Sequence, residues 1–209
     1  MKLMDMTWKE AKGKKTVVIP VGSIEQHGPH LPLSTDALIT EAVAGEIARQ
    51  LKAVLAPTMI PGVSFEHMDF PGTLSLSKEV FIEKLIEVCV SFKRHGFKKI
   101  VIVNGHGGNK SALEAMVIAG MKYVDIVKQI KGYDHAGEIE TSLMLYLHPE
   151  KVRVKEVRKQ KFTFPGRKEW RMTDYSASGV LGNPTKATAG KGKHYFQKIT
   201  SGIMKELKK

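Results

Sequence analysis

Short apolar runs alternate with longer stretches of helical spacing along most of the chain, and that alternation sets the expected fold. Thr16-Val-Val-Ile-Pro-Val-Gly22 is an unbroken apolar run, as expected of a strand buried on both faces. A polar stretch rich in Gly, Pro and His follows at 23–35. Asp36 to Leu51 then carries Leu38, Ala42, Ile47 and Leu51 near a helical period, with Thr35 or Asp36 as N-cap. Val54 to Ile60 reads as a second strand. Ser77 opens a helix with Phe81, Leu85, Val88 and Phe92 on its apolar side, and Gly96 ends it. Lys99-Ile-Val-Ile-Val-Asn104 is the clearest strand, followed by a Gly-rich turn and a helix from Lys110 to Met121. Val124 to Ile130 is a further strand candidate, Glu138 to Leu147 a helix, and Val152 to Arg158 an edge strand. Gly190 to Leu207 is the last helix, with Phe196, Ile199 and Ile203 inward. Strand, loop and helix in alternation predict an α/β fold with a largely parallel sheet covered by helices on both faces.

Composition narrows the class. With 209 residues and 42% hydrophobic content the chain can bury one sizeable core, and neither a repeat nor a linker divides it, so 1–209 reads as one domain. Aromatic content of 7%, 19 Gly and 9 Pro exclude disordered, collagen-like and coiled-coil classes. The one cysteine, Cys89, lies on a predicted apolar helix face and reads as core rather than nucleophile. The charged segment Met1 to Lys15 is unlike a signal peptide and no run of 18 apolar residues occurs, so a cytoplasmic protein without membrane association is expected.

The net charge of +12 is not spread evenly. Residues 1–150 hold 17 basic and 17 acidic side chains, whereas 151–209 hold 16 and 4, so the whole excess lies in the last quarter. There Lys151, Arg153, Lys155, Arg158, Lys159, Lys161, Arg167, Lys168 and Arg171 are interleaved with Phe162, Phe164 and Trp170. A solvated lysine-rich surface is the first explanation, a site for a phosphate-bearing small substrate the second, and nucleic-acid binding, a non-enzymatic alternative, the third.

Ligands of open α/β sheets bind beyond the carboxyl ends of the strands, so the loops that follow strands come first. Three of them hold Glu25-Gln-His27-Gly-Pro-His30 with Asp36, Asn104-Gly-His106-Gly-Gly-Asn109, and Asp134-His135-Ala-Gly-Glu138-Ile-Glu140. Two adjacent divalent cations, about 3.5 to 4 Å apart, take mixed imidazole and carboxylate ligands, often with a bridging carboxylate. Glu25 and His27 are two apart, so an extended backbone points them the same way. Asp36 at a helix start is a candidate bridge, against the simpler reading as N-cap, and His106 completes a site from the neighbouring strand. His30, His67 and His148 read more simply as solvated or hydrogen-bonding histidines. No Walker motif accompanies the glycines and no nucleophile elbow surrounds Ser23.

The segment Pro20-Val-Gly-Ser-Ile-Glu-Gln-His-Gly-Pro-His-Leu-Pro-Leu-Ser-Thr-Asp36 resembles the hallmark of the creatininase family of metal-dependent amidohydrolases. Residues 64–76, 103–109, 135–142 and 179–188 resemble further loops of that family in the same order. The resemblance implies a three-layer α/β/α domain, assembly into a homo-oligomer, and two divalent metal ions, Fe(II), Zn or Mn. Glu25, His27, Asp36 and His106 match metal ligands, with Asp36 the bridge, and His135 matches a catalytic acid/base. Creatininase has a Glu at the position of Gly108, and Glu140 is the candidate to replace it or to orient His135. Glu66, His67, Gly107, Gly108 and Asn109 are expected at the substrate. The family's reactions include creatinine opening, removal of a formyl group from a pyrimidine ribonucleotide, and cleavage of a modified peptide. The basic last quarter and the Gly-Gly loop favour an anionic substrate and the archaeal deformylase branch, with creatinine or another small cyclic amide as the alternative.

Overall fold

A computed structural model of the chain describes residues 1–118, 122–132, 134–163 and 171–208. Its centre is a parallel sheet of β1 (Thr16–Val21), β2 (Val54–Leu55), β3 (Lys99–Asn104) and β4 (Tyr123–Asp125), in the order β2-β1-β3-β4. Six residues of β1 pair in register with β3, Thr16 opposite Lys99 through Val21 opposite Asn104. Alternating side chains sort to the two faces of the sheet. Val18, Val101 and Val103 enter one core, whereas Val17, Ile19, Val21 and Ile102 enter the other. Each such side chain, when fully buried, contributes roughly 1.5–3 kcal/mol.

The helices form the outer layers. After the short α1 (Trp8–Ala11), α2 (Thr35–Gln50) buries Ile39, Val43 and Ile47 on the first face, and α3 (Lys78–Arg94) buries Phe81, Leu85, Cys89 and Phe92 on the second. The side chain of Ser77 accepts from Val80 N and caps α3 as expected. Next come α4 (Lys110–Ile118), which joins α3, and then α5 (Glu138–Leu147) and α6 (Ala189–Glu206), which join α2. In α6, Ile199 and Ile203 are fully buried and Phe196 is partly so. The result is a three-layer α/β/α arrangement.

Three strand expectations change. The second strand is two residues long because Pro57 and the Ile60-Pro61 step remove ladder donors, and Met59 rejoins β1 by a single bridge to Val21. The fourth ends at Asp125, whose Oδ1 accepts from Val127 N at 2.8 Å and turns the chain into a 3-10 helix, Val127–Gln129. Val152 to Arg158 is not an edge strand. It winds into a 3-10 turn, Val154–Glu156, and Arg153 N donates to His30 O in a loop rather than to the sheet. The expected end of α4, residues 119–121, lies outside the described residues.

Candidate metal centre

Parallel strands deliver all their following loops to one rim, and the strand order reverses direction between β1 and β3. Ligands gather at such a switch point. The loop after β1 carries Glu25 and His27, the start of α2 carries Asp36, and the loop after β3 carries His106. Gly22 lets this rim close up, because a Cβ there would come within 2.7 Å of Ala37 Cα. A bridge from His135 to Leu181, with both backbone hydrogen bonds made (3.1 and 2.9 Å), brings the fourth loop to the same place.

Asp36 is the centre of the cluster. Its Oδ1 lies 3.2 Å from His27 Nε2, and its Oδ2 lies 2.9 Å from His106 Nδ1 without the alignment of a hydrogen bond. His27 donates through Nδ1 to Glu25 O at 3.1 Å, and His106 through Nε2 to Val63 O at 2.8 Å. Each imidazole therefore fixes one ring N–H on a backbone carbonyl and turns the other nitrogen toward Asp36, the arrangement of a metal-bound histidine. Glu140 Oε2 is 3.4 Å from His27 Nε2 and accepts from Ala136 N at 2.6 Å. Glu25 Oε2 is 3.3 Å from His106 Nε2, and neither this oxygen nor Asp36 Oδ2 has a hydrogen-bond partner among the described residues. Buried carboxylate oxygens left unpartnered between imidazoles fit a cation. Among the described residues, three sets bring ligand atoms within 4.8 Å of one another: Glu25, Asp36 and His106; His27, Asp36 and Glu140; and Glu25, His27 and His135. The first two share Asp36.

The electrostatics agree with a place for positive charge. Burial opposes charge on His27, but Asp36, Glu140 and Glu25 outweigh it and raise its pKa to about 10. Burial is likewise outweighed at His106 by Glu25 and Asp36, again raising the pKa to about 10. Burial pushes Glu25 up to about 7 and Glu140 up to about 8. At Asp36 burial is overcome by the two imidazoles, which hold its carboxyl well below the usual range. Without cations, the cluster takes up protons instead.

A cavity of about 400 Å³ opens on this cluster and is lined by Glu25, Asp36, His106, His135 and Glu140 together with Glu66, His67, Gly107 and Gly108. A Cβ on Gly107 would touch nothing, whereas one on Gly108 would run into Val63 O, His106 and Glu66. A larger residue at 108 therefore requires the second loop to move. Asn109 does not reach the cavity, contrary to expectation. It is fully buried, its Oδ1 accepts from Val63 N at 2.9 Å, and its Nδ2 donates to Gly22 O and Asn104 Oδ1. His67 was expected both as an ordinary loop histidine and at the substrate; it is buried at the site, 3.4 Å from Glu25 Oε1. His30 stays outside, bonded to Thr141 Oγ1 at 2.9 Å, and His148 pairs with Glu150 at the surface.

The basic quarter is not where it was expected. Lys151, Arg153, Lys155, Arg158, Lys159 and Lys161 are exposed, and among the described residues no Lys or Arg lines the cavity. Phe164, Arg167, Lys168 and Trp170 lie outside the described residues. What this quarter gives the cavity is apolar, Met172 and Leu181. Sequence reasoning passed over Gln26 and Asp134. Asp134 accepts from Ile139 N at the start of α5, and burial pushes its carboxyl up to about 6.

A carboxylate shared between two imidazole-carboxylate sets, on the rim of a parallel α/β/α sheet, is a donor set suited to divalent cations, and the class of protein that carries it here is given by the family match. The family model described as creatininase, creatinine amidohydrolase, matches residues 4–207, and the chain belongs to this family of metal-dependent amidohydrolases. It is 37% identical to the mycofactocin precursor peptide peptidase of Mycolicibacterium smegmatis over 92% of this chain and 84% of that protein. Creatinine amidohydrolase of Pseudomonas putida is 30% identical over 71% of this chain and 72% of its own length. A 2-amino-5-formylamino-6-ribosylaminopyrimidin-4(3H)-one 5'-monophosphate deformylase of Methanothermus fervidus is 32% identical over 60% of this chain and 53% of its own. The crystal structure of creatinine amidohydrolase superposes with a TM-score of 0.83 at 26% identity, covering 99% of this chain and 96% of that one. Creatininase structures of this group include one described as the manganese form and one as a Zn-Zn type.

Proposed function

We propose that this chain hydrolyses an uncharged amide of a peptide-derived or similarly small substrate, with Glu25, Asp36 and His106 holding one divalent cation and His27, Asp36 and Glu140 a second. The observation that carries the reading is the sharing of Asp36 between two donor sets, in a cavity lined by carboxylates and free of Lys and Arg among the described residues. Imidazole with carboxylate accepts Zn, Mn or Fe(II). When bound, the cation pair supplies a water that ionises near neutral pH and a Lewis acid for the carbonyl oxygen.

The chain's own groups do the rest. Burial, with the nearby His27 and His67, keeps His135 neutral at rest, with one ring nitrogen unprotonated. In this reading that nitrogen takes the proton of the attacking water and passes it to the departing nitrogen as the C–N bond breaks. That transfer is worth roughly 10² to 10⁴ in rate. Gly107 and Gly108 line the cavity and Gly107 leaves it open, so in this reading their backbone N–H groups steady the substrate oxygen as negative charge develops. Val127, Met172 and Leu181 form the apolar wall for the rest of the substrate. The same reading takes 1–209 as one catalytic domain working in a homo-oligomer, which light scattering measures.

A second reading, deformylation of the phosphorylated pyrimidine ribonucleotide in riboflavin and F420 synthesis, has one observation in its favour: the excess of 16 basic over 4 acidic residues in 151–209. The deciding experiment reloads the protein anaerobically with Fe(II), Mn(II) or Zn(II) and offers a precursor-type peptide, creatinine and the formylated ribonucleotide, with His135→Ala as control. Release of a new amine from the peptide supports the first reading. Formate from the ribonucleotide alone overturns it in favour of the second.

A further inference from the structure

Gln26 sits between two proposed ligands and ligates nothing, yet its side chain touches both remaining histidines of the site. Its amide can be oriented in only one way. Gly28 N donates to Oε1 at 3.0 Å, and Nε2 donates to Gly179 O at 3.0 Å. Gly28 and Gly179 both have positive φ, and a Cβ on Gly179 would overlap Gln26 Oε1, so glycine is required for this approach.

With one Nε2 hydrogen on Gly179 O, a single hydrogen remains for two neighbours. These are His67 Nδ1 and His135 Nε2, each at 2.9 Å. His135 Nε2 also lies 3.0 Å from the backbone oxygen of Gln26. An oxygen there needs an N–H, so His135 carries its proton on Nε2 and donates it to Gln26 O. The remaining amide hydrogen then goes to His67 Nδ1, which places the His67 proton on Nε2, facing Glu25 Oε1 at 3.4 Å. This assignment satisfies the contacts with Gly28 N, Gly179 O, Gln26 O and His67 Nδ1 and leaves one unfavourable approach, the two donors Gln26 Nε2 and His135 Nε2 at 2.9 Å. The other His135 tautomer would turn its Nε2 lone pair on Gln26 O and take the amide hydrogen away from His67.

We propose that Gln26 is a positioning residue that, through its backbone oxygen and its side-chain amide, fixes His135 as the Nε2–H tautomer with the Nδ1 lone pair turned to the cavity, and fixes His67 as Nε2–H. His135 Nδ1 lies 3.8 Å from Glu25 Oε1, on the side where a proton must be received. The consequence for turnover rests on His135 being the proton carrier; the tautomers themselves do not.

The test is a long-range ¹H–¹⁵N histidine spectrum of the Zn(II)-loaded protein, repeated on Gln26→Met and Gln26→Glu. The wild type is expected to show both rings protonated on Nε2. Gln26→Glu keeps the acceptor for Gly28 but has no hydrogen to give, so His67 should change to Nδ1–H while His135, held by the backbone oxygen, keeps its tautomer. Gln26→Met should release His67 and loosen His135, lowering kcat about 10- to 100-fold with KM little changed and zinc content intact. Nδ1–H on His135 in the wild type overturns the proposal even if neither variant folds. An unchanged His67 tautomer in a folded Gln26→Glu overturns it as well. Wild-type tautomers as expected with no amide hydrolysed would sink only the reading of function.

Discussion

Replacing His135 with Gln separates two roles that the geometry sets side by side. His135 belongs to one possible ligand set, with Glu25 and His27, but Asp36 is absent from that set. Its ring instead lies tilted against those of His27 and His67, at centroid distances of 4.3 and 4.6 Å, and is hydrogen-bonded to Gln26. Loss of a proton carrier costs 10² to 10⁴ in rate, or about 2.7 to 5.5 kcal/mol of transition-state stabilisation. The structural loss is smaller. One hydrogen bond to Gln26 O is worth about 1 kcal/mol, against a total stability of about 5–15 kcal/mol, so the variant should stay folded. The assay pairs single-turnover amide hydrolysis with metal analysis by mass spectrometry. A rate within tenfold of the parent, or loss of one cation per chain, refutes the reasoning, the latter by making His135 a ligand.

Other expectations follow from the same cluster. Asp36→Ala should lose both cations and Glu140→Gln only the one shared with His27, as read by metal content; full occupancy in Asp36→Ala removes the bridge. Metal uptake should strengthen as pH rises from 6 to 8. Without metal, Glu25 and Glu140 titrate at about 7 and 8 and both His27 and His106 at about 10, so lower pH keeps on protons that the cations must displace. Calorimetric titration in buffers of different ionisation enthalpy measures those protons, and pH-independent binding without proton release would falsify the assignment. Leu85→Ala, at a fully buried position of α3, should cost about 2–5 kcal/mol in denaturant unfolding without changing metal content.

Strong periodicity carried most of the fold. β1, β3, α2, α3, α5 and α6 are legible because each has a long apolar pattern that tertiary contacts reinforce. Val152 to Arg158 misled because Val152 and Val154 alternate with basic residues like a strand, whereas Val154 is 64% exposed and the sheet offers that segment no partner among the described residues. The ligand candidates were readable because His and carboxylates recur after successive parallel strands, and Glu140 was already the suspected replacement at the metals. Gln26 was not readable. An amide between two ligands has no distinctive chemistry until Gly179, His67 and His135 are brought around it from distant parts of the chain. Asn109 erred the other way, since a polar residue beside glycines looks like a substrate contact until its amide is seen tying β3 to the second loop. The basic quarter shows that net charge in sequence does not locate charge in a cavity.

The most direct measurement is metal stoichiometry with site-resolved anomalous scattering on crystals of the manganese- or zinc-loaded protein. The account predicts two cations per chain, one between Glu25, Asp36 and His106 and one between His27, Asp36 and Glu140, with Asp36 touching both. A fully active protein with a single cation, or two cations that do not share Asp36, would contradict it.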